Sequence, residues 1–288
     1  MKHLIKHLAA AATLSTSALA GDFHESMSHP ENGFLASFEH LHFTELGTPI
    51  IHSFGIEPAF TGRDLFLDHT YRKGDGFTEH ETELELEWAF TKRLGVIVEV
   101  PYIWEDEEGV GTSSGFGDLA IVPRAILIES PRFLLTAQVE TVLPTGSSAF
   151  GGDTAIAPGI ALWNDLGNWF TLNSLLSIEH GFDEDSTELQ FAFGVVKSFG
   201  EKPDLHIGHD HAHDHGAHSA VGLLHLHLEV TGSTPLSGDD KGDFYAEGLI
   251  GVSYGIMPEM DIRLGYLFPI SSPREFDHGL TGGFIFHF

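Results

Sequence analysis

The sequence predicts an all-β fold, a transmembrane antiparallel β-barrel of the outer-membrane type with about twelve strands, and three observations lead to it. Apolar and polar side chains alternate with period two along most of the chain. The alternating stretches are longer than the roughly five or six residues usual in soluble sheets and match what a tilted membrane strand requires. Short and long connections follow one another in the order a membrane barrel needs.

The clearest strand is HETELELEWAF, where Glu81, Glu83, Glu85 and Glu87 alternate with Thr82, Leu84, Leu86, Trp88 and Phe90. An extended chain sends successive side chains to opposite faces, so one face carries four carboxylates and the other is apolar. VIVEVPYIW, FLLTAQVET, TLNSLLSIE, TELQFAFGV and MDIRLGY continue the pattern. Dividing the chain at its turn signals places strands near residues 63–73, 77–90, 94–106, 115–129, 132–144, 154–164, 168–180, 186–199, 220–233, 242–255, 258–269 and 278–288.

With the N-terminus in the periplasm, the connections after strands two, four, six and ten are TKRLG, SPR, NDLGN and GIMPEM, all short. Those after strands three, five, nine and eleven are DEEGVGTSSG, PTGSSAFGGDT, TPLSGDDKGD and PISSPREFDHG, all long. The exception is GEKPDLHIGHDHAHDHGAHS after strand eight, the longest of all although it falls on the periplasmic side. The last strand, GLTGGFIFHF, ends on the aromatic Phe288, like the terminal strands by which outer-membrane barrels are handed to the barrel-assembly machinery. A soluble secreted β-sandwich also alternates and is the rival fold.

Residues 1–20 read as a signal peptide: a basic MKHLIKH, a short apolar run and the pair Ala18 and Ala20 of an A-x-A cleavage site. Residues 21–60 form an N-terminal periplasmic or plug segment, and 61–288 form the barrel with a His-rich periplasmic loop at 200–219. No later run of eighteen or more apolar residues predicts a transmembrane helix. Within the N-terminal segment, Phe34, Phe38 and Leu41 follow helical spacing, with Gly47 as C-cap, Pro49 as stop and Glu39 and His42 one turn apart.

Composition narrows the function. The absence of cysteine removes disulfides and thiolate chemistry, and 42 acidic against 14 basic residues repel nucleic acid and attract cations. The expected location is the outer membrane of a Gram-negative-type bacterium, with membrane lipid as the surrounding partner.

TEHETELELEWAFTKRLGVIVEVPY (78–102), GFGDLAIVPRAILI (115–128) and VLPTG (142–146) carry a resemblance to a known family. Over roughly residues 60–288 the chain resembles outer-membrane transporters associated with the meta-pathway of phenol degradation. The resemblance implies a barrel that passes small solutes and assigns no substrate. The histidine tract departs from the family pattern.

In that tract His206, His209, His211, His213, His215 and His218 lie with Asp210 and Asp214 in a glycine-flanked, unpatterned stretch that reads as a loop. Imidazoles at H-x-H spacing can converge on Zn(II), Ni(II) or Cu(II), and the carboxylates can add oxygen ligands. Beyond the loop, His225, His227 and Glu229 alternate with Leu224, Leu226, Leu228 and Val230, which puts both histidines on the polar, lumen face of a strand. Glu81, Glu83, Glu85, Glu87, Glu99, Glu140 and Glu229 share that face and give the lumen a negative potential, offset in part by Arg124 and Arg263.

No enzyme is expected. GTSSG, Gly111 to Gly115, matches a nucleophile-elbow pattern but lacks the following helix and reads as a glycine-rich loop, and H-E-x-x-H is absent. The expected function is an outer-membrane channel for small solutes, with divalent transition-metal cations collected by the His-rich loop and no required cofactor. A channel for small organic or aromatic solutes with incidental histidines, or a non-transporting metal-sequestering surface protein, are the alternatives.

Overall fold

The computed structural model describes residues 33–152, 154–183, 185–201, 220–238, 240–272 and 274–288. The proposed signal peptide and the tract from His206 to His218 lie outside the described residues.

Thirteen strand segments are formed: β1 (Arg63–Gly74), β2 (Phe77–Ala89), β3 (Leu94–Glu107), β4 (Gly111–Phe116), β5 (Leu119–Ser130), β6 (Phe133–Leu143), β7 (Ala155–Gly167), β8 (Phe170–Gly181), β9 (Ser186–Phe199), β10 (Leu224–Pro235), β11 (Tyr245–Met257), β12 (Met260–Pro269) and β13 (His278–His287). Each is antiparallel to its neighbours, and β1 pairs with both β2 and β13, from Asp64 opposite His287 to Lys73 opposite His278. The sheet therefore closes on itself through β1 and β13.

β4 and β5 both pair with β3 and together make one stave, so the closed barrel has twelve. The break at Gly117 and Asp118 has a cause in the partner strand: Pro101 has no N–H to offer the ladder, and its carbonyl takes the Gly117 N–H at 3.0 Å. Asp118 fills the gap by accepting the N–H groups of Gly146 (2.7 Å) and Gly152 (2.9 Å). The Gly-Asp and Leu-Pro-Thr-Gly stretches, distant in sequence, are thus one clasp that folds the long connection after β6 onto the wall.

Alternation explains the two surfaces. Leu65 pairs with Leu86 and Leu67 with Leu84, facing outward, whereas Asp64 pairs with Glu87 and Asp68 with Glu83, facing inward. On β10, Leu224, Leu226 and Leu228 are exposed on the outside while His225, His227 and Glu229 are buried inside. Outward leucines and aromatics on a closed barrel form the apolar belt that lipid requires.

Two expectations about the connections need correction. DEEGVGTSSG is not a long loop: β3 runs on to Glu107, turns at Glu108–Val110, and β4 returns as its partner. Gly111 to Gly115 accordingly lies in a strand, because ladder hydrogen bonds satisfy its backbone as well as water could. The strand expected over 220–233 is shifted to Leu224–Pro235, and that expected over 242–255 to Tyr245–Met257.

The helix expected over Phe34 to Gly47 is absent. Residues 33–62 have no regular structure apart from an isolated bridge between Phe43 and Pro49; Phe34, Ala36 and Gly47 bond to the short β2–β3 and β7–β8 turns, and residues 48–62 enter the lumen. Gly47 does take a left-handed φ of 73°, but in the turn of that bridge, where the Thr44 hydroxyl accepts the Leu46 and Thr48 N–H groups. A lone helix of this length is marginal in water, whereas a chain threaded through a polar barrel finds hydrogen-bond partners in the wall. The Trp169 indole donates to the Gly47 carbonyl (2.7 Å), Thr48 to Asp165 (2.8 Å), Arg263 to the Ser53 carbonyl (2.7 Å) and Thr136 to the Ala59 carbonyl. Glycines in the wall allow the close approach: a Cβ at Gly251 would come within 2.7 Å of the Phe54 ring, and one at Gly194 within 2.7 Å of Ile56.

Candidate functional site

Polar side chains occupy the lumen in separate groups. The middle one is a cavity of about 240 Å³ between plug and wall, lined by Glu83, Glu85 and Glu87 of β2, Glu99 of β3, Glu140 of β6 and Glu57 of the plug. These carboxylates come together because strands that alternate in step deliver the same face to one lumen. Arg263 is the arginine in the lining, beside His52, and it is engaged by Asp68 and the Ser53 carbonyl. Arg124 approaches Glu57 at 3.8 Å and Glu87 at 3.9 Å. Burial raises the Glu57 carboxyl above its ordinary range, against the opposing pull of Arg124.

The second group lies in a larger cavity of about 540 Å³ towards the long connections. Glu81 is here rather than in the middle cavity, and it shares Arg72 with Glu79 at 3.1 and 2.9 Å. Phe77, Phe191, Tyr245 and Phe276 give this cavity apolar walls.

His225, His227 and Glu229 sit elsewhere, under the plug. His225 is fully buried with Nδ1 2.8 Å from the Ser198 hydroxyl. His227 lies between Glu229 (3.2 Å) and Ser253 (2.9 Å), with the Phe54 ring edge-on at 5.0 Å. Glu229 accepts the N–H groups of Phe54 and Gly55 at 3.1 Å, so it anchors the plug and does not line the acidic cavity.

A third group escaped the sequence reading. At the short-turn end of the barrel, His40, His42 and His52 of the plug meet Asp64 of β1, Asp261 of β12 and His287 of β13. The ring centroids of His40 and His42 are 4.7 Å apart, and each is within 5.4 Å of His287. Asp64 contacts His287 Nδ1 at 2.7 Å and His52 Nε2 at 3.3 Å, and Asp261 lies 3.5 Å from His287 Nε2. Burial lowers His42 to about 4 and lowers His40 and His52 as well, so these imidazoles are neutral at pH 7 with lone pairs to offer. The H-x-H spacing of His40 and His42, the same signal that marks the tract, could have drawn attention to them.

A closed antiparallel barrel of twelve staves, apolar outside and polar within, is an outer-membrane-type β-barrel, here with a chain segment lodged in its lumen. No family model matches the chain, and no curated protein matches it in sequence. Among solved structures it is similar to an outer membrane channel from Pseudomonas putida F1, with 13% identity, a TM-score of 0.57, and coverage of 83% of this chain and 100% of that one. The NanC porin matches at 11% identity over 78% of this chain and 99% of that one, with a TM-score of 0.48. A KdgM porin matches at 11% identity over the same shares, 78% and 99%, with a TM-score of 0.49. The likeness to the channel is one of fold, and the fold places the chain among outer-membrane barrels.

Proposed function

We propose that the protein is an outer-membrane channel for small solutes that favours cations, with divalent transition-metal ions such as Zn(II), Ni(II) or Cu(II) as the solute class. The observation that supports this is the cavity in which Glu57, Glu83, Glu85, Glu87, Glu99 and Glu140 converge with one arginine in the lining, itself engaged elsewhere. Carboxylates facing a confined, low-dielectric passage focus cations and exclude anions. The tract from His206 to His218 joins the barrel at the short-turn end and would raise the local concentration of metal there. Membrane lipid surrounds the belt, and the terminal strand ending at Phe288 is the segment that would engage the barrel-assembly machinery.

Zinc flux into liposomes carrying the protein tests the proposal. Flux should exceed that of protein-free liposomes and fall when the tract histidines are replaced by asparagine; no flux in either sample refutes it. A second reading, a channel for small organic solutes, is favoured by the aromatic walls of the outer cavity. Uptake of a neutral aromatic in the same liposomes, with zinc excluded, would establish that reading instead.

A further inference from the structure

We propose that His40, His42 and His287, together with Asp64, bind one divalent transition-metal ion where the plug meets the seam that closes the barrel. This site is separate from the His-rich tract and stands whether or not the barrel conducts metal.

The donor set comes first. One ligand atom each from His40, Asp64 and His287 lie within 4.8 Å of one another, and the His42 ring centroid is 5.2 Å from that of His287. Three imidazoles and a carboxylate are the ligands that suit Zn(II), Ni(II) and Cu(II). Second, His40 Nδ1 is buried with no hydrogen-bond partner, beside an Asp64 Oδ2 whose nearest polar neighbour is His52 Nε2 at 3.3 Å. Buried polar atoms are almost always paired, and an unpartnered imidazole nitrogen at such a donor set fits a ligand there.

Third, the space fits one ion. The cavity among His40, His42, His52, Asp64 and His287 measures about 20 Å³, close to the volume of a single water centre. Gly62 keeps it open, since a Cβ there would fall 1.9 Å from Asp64 Oδ2 and 2.8 Å from Glu87 Oε2. Fourth, Asp64 already holds His287 Nδ1 at 2.7 Å. A carboxylate on one ring nitrogen fixes the orientation of the ring, and an ion at the other nitrogen would replace its 3.5 Å contact with Asp261.

The consequence is mechanical. His40 and His42 belong to the plug, Asp64 to β1 and His287 to β13, so an ion shared by them ties the plug to the β1–β13 seam. His42 is also next to Phe43, which packs on Ala220 and Leu223 beside the end of the His-rich connection.

The test uses the full-length protein in detergent, stripped with chelator and then given Zn(II). Crystals grown with zinc should show an anomalous peak between His40 and His287, and calorimetry should show the H40N/H42N variant binding one zinc fewer than the parent. The tract is present in both proteins, so the difference reports this cluster. Because H287N alters the closing strand, H40N/H42N is the informative variant, and its unboiled gel mobility shows that it is folded. No peak between His40 and His287, or an unchanged stoichiometry in the folded variant, overturns the proposal.

Discussion

The carboxylate of Glu229, inside β10, accepts the backbone N–H groups of Phe54 and Gly55 at 3.1 Å, which makes one wall residue the anchor of the plug. Hydrogen bonds to a charged acceptor contribute about 1.5–3 kcal/mol, and removing the acceptor leaves two backbone donors without it. Glu229→Ala should therefore loosen residues 53–56. Planar-bilayer recordings are expected to show a larger and noisier conductance than the parent, and an unchanged conductance would mean that the plug is held by its other contacts alone.

The barrel was legible in the sequence for a physical reason: each wall residue touches either lipid or lumen, so its polarity reports its side. That is why Glu83, Glu85, Glu87, Glu99 and Glu140 could be gathered into one lumen from alternation alone. The plug obeyed no such rule. Its hydrogen-bond partners, such as Asp165 for the Thr48 hydroxyl and Glu229 for the Phe54 N–H, are distant in the chain, so no local periodicity records them and the spacing of Phe34, Phe38 and Leu41 suggests a helix that does not form. The cluster of His40, His42 and His287 was hidden likewise, since it exists only once the last strand pairs with the first. Glu81 was placed with its neighbours on β2 because sequence fixes the face of a residue and not its depth.

Glu57 carries a prediction about pH. Burial raises its pKa in the folded protein, so the folded state favours the protonated form. Below the unfolded value near 4.3 both states are protonated and nothing is lost, whereas as pH rises through the folded value the buried carboxylate costs stability. Arg124 and Arg263 offset this in part. Glu57→Gln should raise the melting temperature at pH 8 and leave it unchanged at pH 4; equal melting temperatures at pH 8 would show that Arg124 fully compensates the charge.

Leu228 tests the lipid face. It stands outward on β10 with 57% of its surface exposed, opposite Ile250 on β11. An arginine on that face costs about 2–4 kcal/mol near the bilayer midplane. Leu228→Arg should lower the denaturant midpoint of the refolded barrel by a corresponding amount, and a loss below about 1 kcal/mol would place Leu228 near the interface, where the cost falls to about 0–1.

The central claim is that the glutamates of the lumen set the selectivity, and the reversal potential across a planar bilayer under a potassium chloride gradient measures it directly. The parent channel should favour potassium over chloride. Its preference should weaken when Glu83, Glu85, Glu99 and Glu140 are all changed to glutamine, since a ring of carboxylates sets the local potential. A parent channel that favours chloride, or a quadruple variant with the parent's reversal potential, would contradict the account.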